Sequence, residues 1–285
     1  MVLSVGDETG RIEERIELAT RSPQETMPEM LEFFRAKGIS ALGIGSFGPL
    51  DLDKSSKTYG SITSTPKLRW RDYPLLSALQ KGLSVPALID TDVNAAALGE
   101  ASFGAAKGLS GCVYVTIGTG VGGGVLAEGK LLHGMLHPEL GHIPLRPLEV
   151  DAMPDGICPY HKGCLEGLAS GPAIEKRFGI KPALLPQGHE AWELEAEYLS
   201  QMCVTIVLML SPQKIILGGG VMHKSGLIEK VREKTVSALG GYIRRPEILE
   251  NIADYIVPPL LGDNSGAVGA LILAARALKE SEEYK

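Results

Sequence analysis

The chain opens on a short apolar stretch, Met1 to Val5. A turn-forming run from Gly6 to Gly10 follows, and then Ile12, Ile16 and Leu18 fall at one parity. This pattern predicts two strands joined by a tight turn, half of a sheet. The period then changes. Ser22-Pro23-Gln24-Glu25 has the form of a helix start, with Ser22 as cap, Pro23 at the first helical position and Glu25 closing a capping box. Met27, Leu31 and Phe34 share one face of that helix, and Gly38 ends it. Pro28 is awkward inside such a helix, which allows the start to slip to Thr26.

The middle of the chain repeats a simple alternation. Ile39 to Asp51 is a buried strand that runs into a Gly/Pro loop, and Thr58 to Trp70 is extended and rich in turns. A short helix to about Gly82, a strand from Val85 to Asp90 and an alanine-rich helix from Asp92 through about Phe103 come next. Strand, helix, strand, helix in this order predicts an α/β sheet. Strand CVYVTIG then turns on glycines into a second strand, GGVLAEGKLL. Gly171-Pro172 opens a helix, and Glu190 to Leu210 forms a long one. Lys214 to Met222 is a buried strand with three glycines at its carboxyl end, followed by a helix to about Leu239, a strand DYIVPP and a last helix from about Asn264. A strand, a glycine run and a helix thus recur in the two halves, as in a duplicated α/β fold.

Composition narrows the class. A chain of 285 residues is long enough for one large or two ordinary domains. A net charge of -6 implies no nucleic-acid partner. The longest apolar run, around Val204 to Leu210, is too short to span a bilayer, so no membrane partner is expected. No basic-then-apolar signal pattern stands at the start. Four cysteines in a chain this long do not make a disulfide framework, so a cytoplasmic location is expected.

The candidate chemistry is concentrated between Val113 and Pro172. Gly118-Thr119-Gly120-Val121-Gly122-Gly123 matches a dinucleotide fingerprint in form, but that use needs a helix directly after it. A strand pattern follows instead. Thr119, with its hydroxyl and the flanking N–H groups, points to phosphate. Gly218-Gly219-Gly220 ends an apolar strand ahead of a helix, where a flat group such as adenosine can lie against bare backbone. Asp92 sits at another strand's carboxyl end. It can take a proton from a substrate hydroxyl or merely cap the helix, and Asp90 rivals it as the base. Asn94 suits a cap or a supporting hydrogen-bond partner.

Cys158, His161 and Cys164 have the close spacing of metal ligands, with Pro159 and Gly163 keeping the segment out of a helix. Structural zinc takes four thiolate and imidazole ligands, and His142 is the best fourth. Free thiols or a Cys158–Cys164 disulfide are the alternatives. Glu139 and Glu166 flank these ligands, and with a metal-bound imidazole they make a polyol-binding edge. Cys112 and Cys203 read as inert core. His133, His137, His189 and His223 read as surface or hinge residues.

At these residues the chain resembles the ROK family of sugar kinases and repressors, most nearly the bacterial fructokinases. The resemblance rests on GIGSFGPLD, STPK, TDVNAAALGE, VTIGTGVGGG, HPELGH, CPYHKGCLEGLASGP and IILGGGVM, and it covers nearly the whole chain. It implies an actin-like ATPase (ribonuclease H-like) fold with two lobes, each a mixed sheet with flanking helices. Residues 1–93 with the C-terminal helix 265–285 would form the small lobe. Residues 94–264 would form the large lobe, carrying the nucleotide, sugar and zinc sites. It implies phosphorylation of a hexose, fructose by preference, by ATP with Mg²⁺, and a homodimer. On that pattern Asp92 is the general base. Glu139, His142, Glu166 and Asn94 bind the sugar, and Thr119, Gly120, Pro172 and Gly218, Gly219 and Gly220 bind the nucleotide. His142, Cys158, His161 and Cys164 hold Zn²⁺.

One departure stands out. Family members begin with a strand and an acid-x-Gly-Gly-Thr-Lys phosphate turn ahead of the strand that here reads MVLSV. This chain has no such turn, and Met1 stands about where the second strand begins. The expectation is a start assigned at an internal Met, an exposed sheet edge and activity well below that of a form restored upstream. The alternative is a short family member that binds sugar and catalyses weakly. Repressors of the family carry an N-terminal DNA-binding helix pair that this sequence does not show.

Overall fold

Strands β1 (Val2–Gly6) and β2 (Ile12–Glu17) pair antiparallel, with Leu3 opposite Ile16. Helix α1 (Pro23–Lys37) follows, capped at Ser22 through the expected box with Glu25 and closed by Gly38 at φ 59. Pro28 stays inside α1, so the start does not slip to Thr26. It lies near the N-terminus and forfeits a single backbone bond, to Gln24, while the Ser22 cap compensates at the helix start. The structure, a computed structural model, describes residues 1–283.

Strand β3 (Leu42–Ser46) pairs parallel with β4 (Ala87–Thr91), and helix α2 (Leu75–Leu83) lies between them in sequence. The first half was expected to carry one mixed sheet. It carries two separate pairs, β1–β2 and β3–β4. A cavity of about 930 Å³ lined by β1, by β3, by Phe34 of α1 and by the last helix extends to Lys67 and Asp92. Among the described residues no strand bridges the pairs, so β1 keeps one unpaired edge. A first core gathers here around Leu3, Phe34, Leu50, Ile62, Trp70 and Ile89.

Helix α3 (Asp92–Phe103) leads to the second half. Strands β5 (Cys112–Ile117), β6 (Val121–Ala127) and β7 (Lys130–Leu131) form an antiparallel run. Short α4 (Leu165–Ala169), α5 (Gly171–Phe178) and long α6 (Ala191–Leu210) precede β8 (Lys214–Gly218), which returns parallel to β5. Helix α7 (Leu227–Leu239), one-turn helices α8 (Pro246–Leu249) and α9 (Ile252–Tyr255), β9 (Ile256–Val257) and α10 (Ser265–Glu283) complete the order. The sheet runs β7-β6-β5-β8-β9, mixed as expected. The expected strand DYIVPP is only two residues long, because α9 takes Asp254 and Tyr255. The expected last helix reaches 285, and residues 284 and 285 lie outside the described residues. A second core runs from Val113 to Ile256, with Trp192, Tyr198 and Met202 of α6 at its centre.

Helices α3 and α10 cross between the two cores. Their contact is close because Gly269 has no Cβ; one there would stand 1.7 Å from the Ala95 carbonyl oxygen. The buried Glu100 carboxylate fastens the crossing, accepting bonds from the Leu260 and Leu261 N–H groups and the Ser265 hydroxyl. A carboxylate buried this deeply is tolerated because its lone pairs are filled. The crossing packs on β3, β4 and β5, and β8 lies beside them through its pairing with β5.

Candidate functional site

The site lies at the carboxyl ends of those strands, where open α/β sheets leave room for a ligand. Asp92 is the first residue of α3. Thr91 is the cap: its hydroxyl oxygen accepts the Asn94 N–H at 3.1 Å. Asp92 is therefore free of capping duty. Its carboxylate accepts only the adjacent Val93 N–H and lines the cavity. Surrounding protein mass raises its pKa, while Val93 N–H and Lys67 pull it back. Asp92 nevertheless has solvent-accessible surface. The two facts fit a side chain facing an open cleft with protein on its other sides.

Asp90 does not rival it. Asp90 is buried, and its oxygens are taken by the Thr91 N–H, the Asn94 amide at 2.7 Å and His133 Nε2 at 2.9 Å. Asn94 takes the supporting hydrogen-bond role. It is 0% exposed, its amide N–H bonding Asp90 and its carbonyl oxygen accepting the Val125 N–H at 3.3 Å. It holds α3 against β6. His133 is likewise a partner of Asp90, and His137 is buried.

Glu139 lies near enough to both Glu166 and Asp92 to feel their charges. The Glu139 carboxyl is pushed up to about 7, first by loss of water, then by the charges of Glu166 and Asp92. Its side chain is 39% exposed, so the loss of water acts from one side of an accessible group. Glu166 is held from behind, accepting the Val121 N–H at 3.0 Å. That bond places Glu166 against the glycine turn of Gly118 to Gly120.

The turn joins β5 to β6 and no helix follows it, so the dinucleotide form is excluded by the fold. Thr119 is exposed at its tip. The Gly171 N–H bonds the Gly118 carbonyl at 2.8 Å, which brings the start of α5, with Pro172, beside the turn. The three glycines at the end of β8 stand next to it, since Thr116 of β5 pairs with Gly218. Gly219 has φ 91, and a Cβ there would stand 2.4 Å from the Ile117 carbonyl oxygen. Only glycine fits. Around Gly220 there is open space. The three segments lie side by side.

The proposed metal ligands also converge. His142, Cys158, His161 and Cys164 present ligand atoms within 4.8 Å of one another. Cys158 Sγ lies 3.9 Å from His142 Nδ1 and 3.7 Å from His161 Nδ1, and Cys164 Sγ lies 3.8 Å from His142 Nδ1. A tetrahedral zinc with arms of about 2.0–2.3 Å sets its ligands roughly 3.3–3.8 Å apart, so the residues fit the ion. All four cysteines are free thiols, so no disulfide joins Cys158 to Cys164. Burial pushes the Cys164 thiol up to about 11, with the Cys158 thiol adding to it. With Nδ1 turned to the sulfurs, His142 keeps Nε2 for another partner.

Reading from the sequence overlooked one supporting network. Arg177 meets Asp151 through Nε at 2.7 Å and Nη2 at 3.0 Å, and the Tyr198 hydroxyl donates to the same carboxylate. Burial pushes Asp151 up, but these donors win and hold it below the usual carboxylate range. The network ties the loop before Cys158 to α5 and α6. Twenty-six residues separate the pair, a spacing that carries no local signal.

This architecture is the actin-like ATPase fold of ROK sugar kinases. The chain matches the model of the ROK family over residues 1–277 and belongs to that family. It is 49% identical over 278 residues to a protein of Bacillus subtilis (strain 168) provisionally named fructokinase, covering 98% of this chain and 93% of the relative. It is 42% identical over 280 residues to a fructokinase of Pediococcus pentosaceus, covering 98% and 96%. A ROK family glucokinase from Streptomyces griseus, solved in complex with glucose and AMPPNP, superimposes with a TM-score of 0.76. It is 27% identical, and the match covers 96% of this chain and 95% of that one.

Proposed function

We propose that this protein transfers the terminal phosphoryl group of ATP to a hexose, with D-fructose as the acceptor and D-fructose 6-phosphate and ADP as products. The observation that carries the reading is a shared cleft. Glu139 feels the charges of Glu166 and Asp92 there, beside the glycine turn that Glu166 abuts. The fructokinase relatives support fructose over glucose and mannose.

In this reading Glu139, Glu166 and His142 Nε2 hold the sugar hydroxyls. The acceptor hydroxyl loses its proton to Asp92 as its oxygen bonds to the terminal phosphorus. The bond from that phosphorus to the bridging oxygen breaks, and ADP leaves. A raised pKa suits Asp92 to the role, since a base is most useful near the operating pH. Thr119 and Gly120 meet the phosphates, and Pro172 with Gly218, Gly219 and Gly220 lines the base and ribose. Such transfer depends on positioning and charge stabilisation more than on covalent chemistry.

Mg²⁺ bound with ATP supplies countercharge to the phosphates. His142, Cys158, His161 and Cys164 would hold zinc, which would fix the His142 ring and its tautomer. Asn94 acts from behind, through Asp90 and β6. No helix among the described residues is long and apolar enough to cross a membrane. A cytoplasmic homodimer completes the proposal.

ADP release measured with fructose, glucose and mannose tests it. Fructose is expected to give the highest kcat/KM. Equal rates for all three sugars, or ADP release independent of sugar, would refute it.

A further inference from the structure

We propose that His137 is a positioning residue that ties the loop after β3 to Glu139, and so sets the carboxylate that grips the sugar. The inference rests on the reading of Glu139 given above. The ring is 5% exposed, although the preceding loop is open enough to leave Met135 fully exposed. Its Nε2 accepts the Leu50 N–H at 3.0 Å, a buried bond between residues 87 apart in the chain. A ring nitrogen that accepts a hydrogen bond carries no proton, so the neutral imidazole has its proton on Nδ1. Nδ1 stands 3.5 Å from Glu139 Oε1.

The ring is therefore hydrogen-bonded on its Nε2 side by the first half of the molecule, and on its Nδ1 side it packs against Glu139 of the second half. The third contact is steric. A Cβ on Gly48 would stand 3.1 Å from His137 Cε1, so the loop packs its bare backbone on the imidazole. That loop leaves β3 at Ser46, which pairs with Thr91, the residue before Asp92. A continuous path thus runs from the strand end beside Asp92, through the loop and His137, to Glu139. It keeps the proposed base and the proposed sugar carboxylate in register.

Burial favours the uncharged ring, with Asp90, His133 and Glu139 the titratable groups that face it. The tie transmits position and tautomer, not charge. Leu50 is itself wholly buried and bridged to Ile62, which makes the loop a firm anchor.

The test is steady-state kinetics on His137→Ala, His137→Gln and Glu139→Gln, with the double variants. His137→Ala is expected to raise the fructose KM about tenfold while the ATP KM stays within about twofold, a split that general loosening of the fold does not produce. His137→Gln keeps an acceptor for the Leu50 N–H and should recover part of the loss; it also serves if the alanine variant does not fold. On a Glu139→Gln background, His137→Ala should add less than about twofold, because both changes remove one interaction. Additive effects, or equal losses toward sugar and ATP, overturn the tie. If Glu139→Gln alone leaves the fructose KM unchanged, the sugar-site reading falls first and takes the tie with it.

Discussion

The Glu166 carboxylate lies where a side chain on Gly120 would begin: a Cβ at Gly120 would stand 2.6 Å from Glu166 Oε2. One proposed sugar ligand and one proposed phosphate contact therefore share a wall. Gly120→Ala should displace the end of a flexible glutamate without disturbing the backbone. The expected outcome is a fructose KM raised about tenfold with a Tm change within about 3 °C. Unchanged kinetics would separate the two subsites.

Glu139 carries a pH prediction. Its carboxyl titrates at about 7 in the fold. As an ionised acceptor of sugar hydroxyls it is lost as pH falls through that value. The fructose KM should rise below pH 7, and Glu139→Gln should abolish that limb. A profile of the same shape in both proteins would contradict the role.

The metal centre carries another. Wild-type protein should contain about one zinc per chain by elemental analysis, and Cys158→Ser should contain none. Because the ion binds the folded state, chelation should lower Tm by about 10 °C. A metal-free preparation with an unchanged Tm would remove zinc from the account.

Buried Glu195 makes a prediction about stability. One of its oxygens has no hydrogen-bond partner, and burial raises its pKa well above the ordinary range, opposed in part by Arg177. The folded protein thus holds a proton that the unfolded chain releases. Stability from this group is present at low pH and falls as pH rises from the ordinary glutamate range through the raised value. Thermal melts should show a steeper decline in wild type than in Glu195→Gln, which has no proton to lose. Parallel declines would contradict it.

Much of this was legible in local spacing. Cys158, His161 and Cys164 announce themselves by proximity, and the turn at Gly118 is flanked by two clear strand patterns. Ser22 and Gly38 mark both ends of α1. What was not legible depends on distant partners or on which face a residue takes. Asn94 suits a cap as well as a supporting partner until Thr91 is seen to cap α3. His137 shows nothing in its own neighbourhood, because its partner Leu50 comes from the other half. The one-turn helix at Leu165–Ala169 is too short to show a period, yet it places Glu166. The split between β1–β2 and β3–β4 is a matter of strand pairing, which hydrophobic pattern alone does not determine.

The central claim is phosphoryl transfer to a sugar hydroxyl deprotonated by Asp92. Its most direct test is ATP-dependent, fructose-dependent ADP release by wild type and by Asp92→Asn, with fructose binding measured on both. The account expects kcat to fall by about 10²–10⁴-fold in Asp92→Asn while fructose still binds. Equal turnover in the two proteins would contradict it.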